Sequence, residues 1–364
     1  MMQERRIWVN VTTSENWNRP AVGIIRVEQK ICEELEKIYP KGTVRKCVWV
    51  DNQFKELMEK EGNKNTDLFK QGDIFISLGL DWDYPYVSSF YEIKKKGIHV
   101  ITICYDLIPI LFPQLCLQNV AGKFCSYFID VIEASSVVMC ISKRTECDLK
   151  KFISETGSKD VRTEVIQLGN NFCNNTQISL NPNKEKFILY VSSIERRKNH
   201  EVLYKAYHIL CSQGLKMQIP QLIFVGMPGW GVDDLIRDIN EDPLTKGKIT
   251  ILNRVSDSDL ISLYKNAIFC VYPSLYEGWG LPVCEALSLG RFVLCSNCGS
   301  LQEAGESYAD YLDPWNPYDW AKAIYYYSTN LEKVRKKEKT IKNNYKSFSW
   351  RDTALQVKKV IESL

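Results

Sequence analysis

The stretch that decides the fold runs from residue 267 to residue 289 and reads AIFCVYPSLYEGWGLPVCEALSL. It begins as a buried strand, continues through a turn with two glycines, and ends as an apolar helix. This order is typical of α/β proteins, in which the N–H groups at the start of such a helix can hold an anion. Glu277 lies in the turn and Glu285 lies in the helix. The pattern therefore predicts a phosphate-bearing ligand whose hydroxyl groups are bound by two carboxylates, and a nucleotide sugar fits this description.

Both glutamates also have a plainer interpretation. Glu277 can be an ordinary loop charge, and Glu285 can be favoured by the dipole at the start of the helix. The small residues between them favour the functional interpretation, because glycine lets a ligand approach the backbone closely. The residues that we expect to line the donor site here, besides the two glutamates, are Gly278, Trp279, Gly280 and Leu281.

Apolar strand-like runs alternate with helical patterns over nearly the whole chain of 364 residues. The alternation predicts an α/β fold with two doubly wound, Rossmann-like domains and parallel sheets. The predicted strands are 7–11, 45–50, 73–78, 99–104, 137–141 and 164–168, then 187–192, 221–225, 249–252, 268–272 and 292–295. The main predicted helices are 23–39, one that begins at 142, 199–213, 232–239, 256–265, 281–289 and 317–327.

The segment 169–183 is rich in asparagine and poor in core residues, which is typical of an interdomain linker. The predicted domains are accordingly 1–180 on the acceptor side and 181–348 on the donor side. The tail 349–364 has the spacing of an amphipathic helix, and we expect it to pack back on the first domain. Two such domains would leave a cleft between the carboxyl ends of their sheets.

Bulk properties exclude several classes of protein. A formal net charge of +3, without a basic stripe that carries aromatic residues, argues against nucleic-acid binding. The chain has no apolar run near the roughly 20 residues that a membrane-spanning helix needs, and its first residues do not form a signal peptide. We therefore expect a cytoplasmic protein. The run 94–96, three lysines, predicts the solvated end of a helix, with a contact to anionic lipid at the inner membrane as the alternative.

The 13 cysteines are mostly scattered singly through apolar segments, which is typical of reduced, buried side chains. Cys295 and Cys298 form the one close pair. Without a second pair or a clear helix start after it, this spacing does not predict a redox or metal site.

A second motif, YVSSIERRKNH at 190–200, follows the first strand of the second half. Basic residues at the carboxyl end of such a strand lie where a diphosphate would bind. Arg197 offers planar paired donors and Lys198 a point charge, and both would stabilise negative charge on a leaving diphosphate. A solvated basic loop is the alternative.

Two further segments end predicted strands. The run FVGMPGWG at 224–231 includes Gly226, which suits either a wall against a flat base or a tight turn. The run LNRVSD at 252–257 places Arg254 and Val255 where a nucleobase would bind, although Ser256 can simply cap the next helix.

The first half carries weaker signals. Gly23 opens the first long helix, and Tyr105 and Asp106 follow a strand, so these three are the predicted acceptor-side residues. Asp106 can instead cap the next turn. Asp81 and Asp83 form a DxD pattern that could hold a divalent metal, but plain surface charge is the favoured interpretation, and no metal site is predicted.

Together, these motifs resemble the retaining GT-B glycosyltransferases of family 4. The resemblance is close over 187–327 and looser at 23–28 and 105–109. It is strongest to bacterial mannosyl- and rhamnosyltransferases that build O-antigen or capsule. It implies a GT-B fold, in which two Rossmann-like domains face a central cleft.

The resemblance also implies roles for individual residues. Glu277 would face the donor sugar beside the β-phosphate, Glu285 would hold the ribose hydroxyls, and Arg197 and Lys198 would neutralise the diphosphate. The backbone from 278 to 281 would cradle sugar and phosphate. Ser193 is also expected to line the donor site, although some members have Arg near this position, so the positive clamp here rests on Arg197 and Lys198. Many members have His where this chain has Tyr105, so this acceptor-side position departs from the family pattern.

The predicted function is transfer of a hexose or deoxyhexose, with mannose favoured, from a nucleoside-diphosphate sugar, with retention at the anomeric carbon. The predicted acceptor is a saccharide or an undecaprenyl-linked saccharide in surface polysaccharide synthesis. No cofactor or metal is expected. Two alternatives stay open at this point: a non-hydrolysing sugar-nucleotide epimerase, and an inactive relative that only binds the sugar nucleotide.

Overall fold

In the computed structural model, residues 5–18, 21, 23–57, 68–171 and 186–364 are described. The chain divides into two compact units. The first consists of Met1–Pro113, Gln118–Gly169 and Phe348–Leu364, and the second of Gln114–Leu117 and Asn170–Ser347. Most of the predicted linker lies outside the described residues. Within the described ranges, no helix has both the length and the apolar character needed to cross a membrane.

The first unit is built on a seven-stranded sheet with the order β3-β2-β1-β4-β5-β6-β7. All neighbours run parallel except β2 and β3. The strands are β1 Ile7–Asn10, β2 Val44–Val50, β3 Gln53–Glu56, β4 Ile74–Ser77, β5 His99–Cys104, β6 Val137–Cys140 and β7 Arg162–Val165.

The prediction of purely parallel sheets is wrong for β3, which pairs with β2 in an antiparallel hairpin. Asp51 and Asn52 make the turn, and both have left-handed backbone angles, with φ of 52° and 57°. Such angles are those of the two-residue hairpin turns that match strand twist, and Asp and Asn tolerate them. The strand was not predicted because Gln53–Glu56 is short and carries one apolar residue.

The last strand of this sheet also differs from its prediction. The sequence favours 164–168, but β7 is Arg162–Val165. This strand is at the edge of the sheet and pairs only with β6, so three of its four residues are polar. An apolar pattern therefore locates it poorly.

The helices of the first unit cover the sheet. The amphipathic helix α2 directs Ile25, Ile31 and Leu35 into the core, and α14 packs against α2. A reciprocal capping box between Ser349 and Asp352 starts α14. The helices are α1 Thr12–Glu15, α2 Gly23–Ile38, α3 Val87–Lys95, α4 Ile108–Leu111, α5 Val120–Ala134, α6 Lys143–Thr156 and α14 Trp350–Glu362.

The second unit contains a parallel six-stranded sheet with the order β10-β9-β8-β11-β12-β13. The chain moves outward from β8 in one direction and then from β11 in the other, so the order reverses between these two neighbours. In sheets of this kind, ligands bind outside the carboxyl ends of the strands at the point of reversal. The strands are β8 Phe187–Val191, β9 Gln221–Val225, β10 Ile249–Leu252, β11 Cys270–Tyr272, β12 Val293–Ser296 and β13 Ala309–Leu312.

The predicted helices of the second unit agree with the observed ones to within about two residues, but α11, α13 and strand β13 were not predicted. Three buried side chains, Val334, Glu338 and Ile341, anchor α13, and one of them is charged, so its apolar periodicity is weak. The helices are α7 His200–Ser212, α8 Asp233–Glu241, α9 Asp257–Asn266, α10 Leu281–Ser288, α11 Leu301–Gly305, α12 Pro317–Thr329 and α13 Leu331–Asn344.

A buried acidic cluster lies at the carboxyl ends of β1 and β4 in the first unit. Glu28 Oε1 accepts from the backbone N–H of Ser14 at 2.8 Å, and its Oε2 has no hydrogen-bond partner among the described residues. Burial raises the pKa of Glu28 to about 7, although the contacts with Ser14 oppose this. Burial likewise raises the pKa of Asp81 to about 6, against hydrogen bonds from Ser77 and Tyr86.

The raised pKa of Glu28 predicts a loss of stability with rising pH. Its pKa is 4.5 in the absence of burial, so the folded chain retains a proton that the unfolded chain releases between pH 4.5 and 7. The contribution of this proton to the free energy of unfolding is complete below pH 4.5 and is lost as the pH rises through about 7. Glu28→Gln should reduce the fall in unfolding free energy between pH 5 and pH 8 by on the order of 2 kcal/mol in urea denaturation.

The control for this measurement is Glu33→Gln on the same helix, because Glu33 is partly exposed and pairs with Lys30 on the surface. This variant should retain the pH dependence of the unmodified chain. An equal fall in both variants would contradict the assignment to Glu28.

Candidate active site

The candidate site lies where the strand order of the second unit reverses. The loop after β8 carries a single 3₁₀ turn, Arg196–Lys198, and the loop after β11 carries Glu277. Because β8 and β11 are neighbouring parallel strands, their carboxyl ends bring these two loops together.

Three charged side chains meet there. Arg197 Nη1 is 2.8 Å from Glu277 Oε2, and Lys198 Nζ is 2.6 Å from Glu277 Oε1. Ser274 Oγ donates to the same Oε1 at 2.7 Å. The three charged side chains expose only 13–17% of their surface. This acid and these two cationic side chains therefore lie together, and we call Arg197, Lys198 and Glu277 the ionic cluster.

The ionic cluster holds Glu277 in its ionised form. Burial by itself favours the protonated acid, but Lys198 and Arg197 outweigh it and lower the pKa of Glu277 to about 2. Burial and the neighbouring Arg197 lower the pKa of Lys198, against the attraction of Glu277. Two cations contact Glu277, and Glu195 Oε2 forms a longer ion pair with Arg197, 3.9 Å from its Nη2.

Backbone hydrogen bonds fix the two loops to each other. Leu275 N donates to Arg197 O at 2.8 Å, and Arg197 Nη1 donates to Tyr276 O at 2.9 Å. The buried Tyr190 hydroxyl donates to Lys198 O at 2.6 Å. These contacts define the position of each charged side chain before any ligand binds, which is the preorganisation that a charge-stabilising site requires.

The turn between the two glutamates is held from the loop after β12. Ser300 N donates to Glu277 O at 3.1 Å, and Ser300 Oγ donates to Trp279 O at 2.8 Å. Gly299 has a φ of +61°, and a Cβ there would lie 2.7 Å from Glu277 N and O, so only glycine fits. Gly280 caps α10 with a φ of +113°.

The rest of this turn is buried. Gly278 and Trp279 are both buried, and Trp279 Nε1 has no hydrogen-bond partner among the described residues. Leu281 is the first residue of α10 and is half-buried. The start of α10 therefore lies next to Glu277, as the strand–turn–helix pattern predicted.

Glu285 lies one turn into α10 and is buried. Its Oε2 accepts a hydrogen bond from the Tyr264 hydroxyl at 3.2 Å. The same hydroxyl is 3.2 Å from that of Tyr272. Burial, followed by the charge of Glu285, raises the pKa of Tyr264 well above its usual value, so this tyrosine stays a hydrogen-bond donor. The ribose contact of Glu285 remains a prediction.

Gly226, which the sequence predicts as a wall of the site, is required by local packing. A Cβ at Gly226 would overlap the carbonyl oxygen of Ser192, and Gly226 N donates to Leu252 O at 3.0 Å. Close packing of the loops after β8 and β9 therefore requires this glycine. Ser193 Oγ donates to Glu195 Oε1 in the same region.

The segment after β10 has mixed features. Arg254 is exposed and adopts a left-handed φ of +57°, and Val255 is half-buried. Ser256 Oγ accepts a hydrogen bond from Asp259 N at 3.2 Å and caps α9, which is the alternative role that the sequence analysis gave it. A left-handed arginine beside a predicted base site is an uncommon conformation that functional loops retain.

His200 is buried at the start of α7, 4.4 Å from the ring of Tyr190. Burial and the neighbouring Lys198 lower its pKa to about 3, so it is neutral at physiological pH. It therefore contributes packing and no charge to the ionic cluster.

In the first unit, the predicted acceptor-side residues make local contacts. Tyr105 is buried, and its hydroxyl donates to Leu78 O at 2.5 Å. Asp106 Oδ1 accepts from Ile108 N at 3.0 Å, which is the capping interaction named as its alternative. Gly23 begins α2 with a φ of +51°. Their contact with an acceptor stays a prediction.

The two acids of the DxD pattern differ in environment. Asp81 is buried and accepts from Ser77 and Tyr86, whereas Asp83 is exposed and pairs with Lys123 at 2.8 Å. The described parts of the chain contain no group of three or more His, Cys, Asp or Glu arranged to hold a metal ion.

Sequence reasoning missed several residues that support the site. Ser274 lies within the stretch 267–289, three residues before Glu277, so its contact with Glu277 could be inferred from spacing. Nothing in the sequence connects Tyr264 with Glu285 or Ser300 with Glu277, because these pairs are 21 and 23 residues apart.

With this geometry established, comparison with known proteins identifies the domain. Residues 172–347 match the family model of glycosyl transferases group 1. The chain contains a glycosyl transferase group 1 domain. The resemblance predicted from the motifs is thereby confirmed at the level of this family, as is the predicted enzyme class, glycosyltransferase, for the domain.

Two relatives from Escherichia coli are similar to this chain in sequence. O-antigen chain mannosyltransferase B is 27% identical over 233 residues, which are 61% of this chain and 59% of the relative. The serotype-specific mannosyltransferase WbdA is 24% identical over 330 residues, 83% of this chain and 40% of the relative. The chain thus spans about 40–60% of the length of these relatives.

Solved structures share the fold. Sucrose-phosphate synthase from Thermosynechococcus elongatus superposes with a TM-score of 0.72 at 18% identity, covering 99% of both chains. Anabaena HepE in complex with UDP-glucose gives a TM-score of 0.68 at 15% identity, covering 99% of this chain and 100% of HepE. Both neighbours are GT-B proteins, so the predicted α/β class with two Rossmann-like domains is confirmed.

The ionic cluster predicts strong energetic coupling. Glu277→Ala leaves Lys198 and Arg197 buried without their shared counter-charge, and it should lower the free energy of unfolding by about 3–5 kcal/mol. The double variant Glu277→Ala/Lys198→Met should lose less than the sum of the two single changes, because it removes one unpaired charge.

Urea denaturation of the four proteins in this double-mutant cycle measures the coupling. A matched cycle on the exposed pair Glu201 and Lys205, in the nearby helix α7, should show a coupling below about 1 kcal/mol. Additive effects at Glu277 and Lys198 would show that the pair is not coupled.

Proposed function

We propose that this glycosyl transferase group 1 chain moves a hexose, mannose favoured, from a nucleoside-diphosphate sugar to a saccharide acceptor, with retention at the anomeric carbon. The observation that carries the proposal is the ionic cluster at the reversal point of the second sheet. A buried carboxylate that shares two cations, beside the start of a helix, matches the chemistry of a sugar joined to a diphosphate.

The diphosphate would bind on the cationic side of this cluster. Arg197 and Lys198 are adjacent residues in the loop after β8. The positive end of the α10 dipole is at Leu281. Negative charge grows on the diphosphate as its bond to the sugar breaks. Cations that are fixed beforehand stabilise this charge without having to move.

Glu277 would position the sugar rather than move a proton. A carboxylate with a pKa of about 2 is ionised at neutral pH, so it cannot donate a proton, and it is too weak a base to accept one efficiently. The acceptor proton therefore needs another base, and the departing diphosphate oxygen is the one at hand. The bond from the anomeric carbon to that oxygen breaks, a bond to the acceptor oxygen forms on the same face, and the acceptor proton passes to the diphosphate.

The donor and acceptor classes come from the relatives. Two E. coli relatives carry the name O-antigen or serotype-specific mannosyltransferase, and HepE was solved with UDP-glucose. We extend these names to a mannosyl donor and to a saccharide or undecaprenyl-linked acceptor in surface polysaccharide synthesis, with peripheral contact at the inner membrane. The reaction is proposed to need no metal, and loss of activity with EDTA that Mn²⁺ restores would return Asp81 and Asp83 to consideration.

The activity prediction concerns the ionic cluster. Glu277→Gln keeps the shape of the side chain, and Lys198→Met keeps most of its volume. Each should lower kcat for transfer from GDP-mannose by about 10²–10³-fold. Lys198→Met removes a cation that would stabilise the departing diphosphate, and Glu277→Gln removes the carboxylate that would position the sugar. Thermal unfolding shows whether each variant is folded, and Glu201→Gln on the surface of α7 is the matched control.

A thermal-shift panel with GDP-mannose, UDP-glucose and dTDP-rhamnose tests the donor, and GDP-mannose should give the largest shift. Near-normal turnover in Glu277→Gln would defeat the proposal. Isotope exchange within the donor in the absence of any acceptor would instead identify an epimerase, and donor binding without transfer or hydrolysis an inactive relative.

A further prediction tests Glu285. If its carboxylate binds the ribose hydroxyls, Glu285→Gln should raise the Kd for GDP about tenfold, and Tyr264→Phe should raise it less. Both variants should bind 2′,3′-dideoxy-GDP as well as the unmodified chain does, because this nucleotide lacks the hydroxyls in question. Isothermal titration measures both ligands, and an equal loss with both would assign Glu285 to the fold rather than to the ribose.

A further inference from the structure

The helix α13 of the second unit carries a local excess of positive charge. It contains six Lys and Arg residues and two acids, a formal charge of +4. The whole chain of 364 residues has a formal charge of +3, so the rest of the chain has −1. One helix therefore supplies the positive charge of the protein.

The basic residues of α13 lie on the side away from the core. The buried side chains on this helix are Val334, Glu338 and Ile341, four and three residues apart, so they share its inner side. Four exposed basic residues have the spacing i, i+1, i+4 and i+7, which places them together on the outer side. We call these four residues the basic face: Arg335, Lys336, Lys339 and Lys342.

Contacts on the inner side hold α13 against the second sheet. Glu338 Oε1 is 3.1 Å from Arg291 Nη1, and Lys337 Nζ is 2.6 Å from Asp310 Oδ1 in strand β13. These ion pairs, with the buried apolar side chains, fix the direction in which the helix points its outer side. The basic face is therefore a fixed feature of the surface.

The charge of the basic face is not compensated by neighbouring acids. Surface lysines on several other helices pair with an acid one turn away, as in Lys30–Glu33, Lys150–Glu146, Lys205–Glu201 and Lys358–Glu362. Among the described residues, Arg335, Lys336 and Lys339 have no such ion pair. Glu332 is the one exposed acid on α13. The face thus presents net positive charge to its surroundings.

The lysine run 94–96, which the sequence analysis considered for a lipid contact, is different. Lys94 Nζ donates to Glu133 O at 2.8 Å and to Ser135 O at 2.9 Å. Lys95 Nζ pairs with Glu92 Oε1 at 3.1 Å. Local contacts therefore engage this run, and the uncompensated charge is on α13.

We propose that the basic face of α13 docks this chain on an anionic lipid surface. Clusters of about four to eight Lys and Arg residues on one helix are attracted to membranes with anionic headgroups. The exposed residues of α13 are all polar, so the contact is electrostatic and inserts no apolar side chain into the bilayer. The inference rests on the proposed function in one respect, because an undecaprenyl-linked acceptor would be held at a membrane.

Nucleic acid is the competing polyanion. The basic face has three lysines and one arginine, whereas arginine is the residue that binds phosphates and base edges with paired donors. No aromatic residue occurs in α13 to stack on a base. Both features favour a diffuse anionic surface over nucleic acid.

Docking by this face leaves the donor site accessible. The side chain of Lys342 lies over Gly290, where a Cβ would be 2.6 Å from its Cγ. Gly290 follows the end of α10, whereas Leu281 at the start of α10 is next to the ionic cluster. A helix of eight residues is about 12 Å long. Lys342 is thus at the end of α10 that is remote from Glu277.

Vesicle binding is the first test. The full chain should sediment with vesicles of phosphatidylcholine and phosphatidylglycerol, should not sediment with phosphatidylcholine alone, and should be released by rising NaCl. The triple variant Arg335→Gln/Lys336→Gln/Lys339→Gln should raise the apparent Kd about a hundredfold. The three side chains are exposed, so its thermal unfolding should stay near that of the unmodified chain.

The matched control removes the same charge elsewhere. Lys150→Gln/Lys151→Gln/Lys205→Gln changes lysines that are paired with acids, and it should alter the Kd by no more than about threefold. An equal loss in both triple variants would overturn the proposal, as would equal binding to both kinds of vesicle. Binding of duplex DNA, but not of vesicles, that the α13 variant loses would assign the face to nucleic acid instead.

Transfer kinetics are the second test. The α13 variant should raise KM for an undecaprenyl-linked acceptor in phosphatidylglycerol vesicles about tenfold or more, with kcat and KM for a soluble saccharide unchanged. An unchanged KM for the vesicle-borne acceptor would overturn the proposal. Glu277→Gln, which tests the proposed function, should lower kcat with both acceptors and bind vesicles normally. Vesicle binding needs no transfer, so the two proposals fail separately.

Discussion

The carboxylate of Glu277, shared between Arg197 and Lys198, is the interaction on which the rest of the site depends. A buried carboxylate is costly unless cations and hydrogen bonds compensate it, and here two cations and Ser274 do so. The same pair of contacts joins the loop after β8 to the loop after β11. The charges that would bind a sugar diphosphate thus also hold their two loops in place, and function and local stability share one set of atoms.

The topology of the second sheet makes this interaction available. Arg197 and Glu277 are 80 residues apart in sequence, yet they follow neighbouring strands because the strand order reverses between β8 and β11. A third loop, after β12, contributes Gly299 and Ser300, which hold the backbone of the glutamate turn. The group 1 domain therefore builds its site from successive carboxyl ends of one parallel sheet.

Much of the fold follows from local pattern. Strands β5, β9 and β10 have the bounds that the sequence predicts, since each is a short apolar run between polar turns. Prediction failed for three of the four edge strands, β3, β7 and β13, and the first two carry few apolar residues. The fourth edge strand, β10, was found because three of its four residues are apolar. Prediction also failed for α13, which few apolar positions anchor. The charged residues of the site were found because they stand in spaced motifs, whereas Ser300 and Tyr264 were missed because they act across loops.

The sequence by itself determined the α/β class, the family motifs and the identity of the acid and the two bases, because strand and helix periodicity and loop motifs are local properties of the chain. Only the tertiary structure decided which oxygen of Glu277 each cation contacts, that these cations lower the pKa of Glu277, and that Tyr264 donates to Glu285. Each of these depends on burial or on contacts with residues elsewhere in the chain. Burial and distance arise when the sheet assembles, and no run of neighbouring residues encodes them.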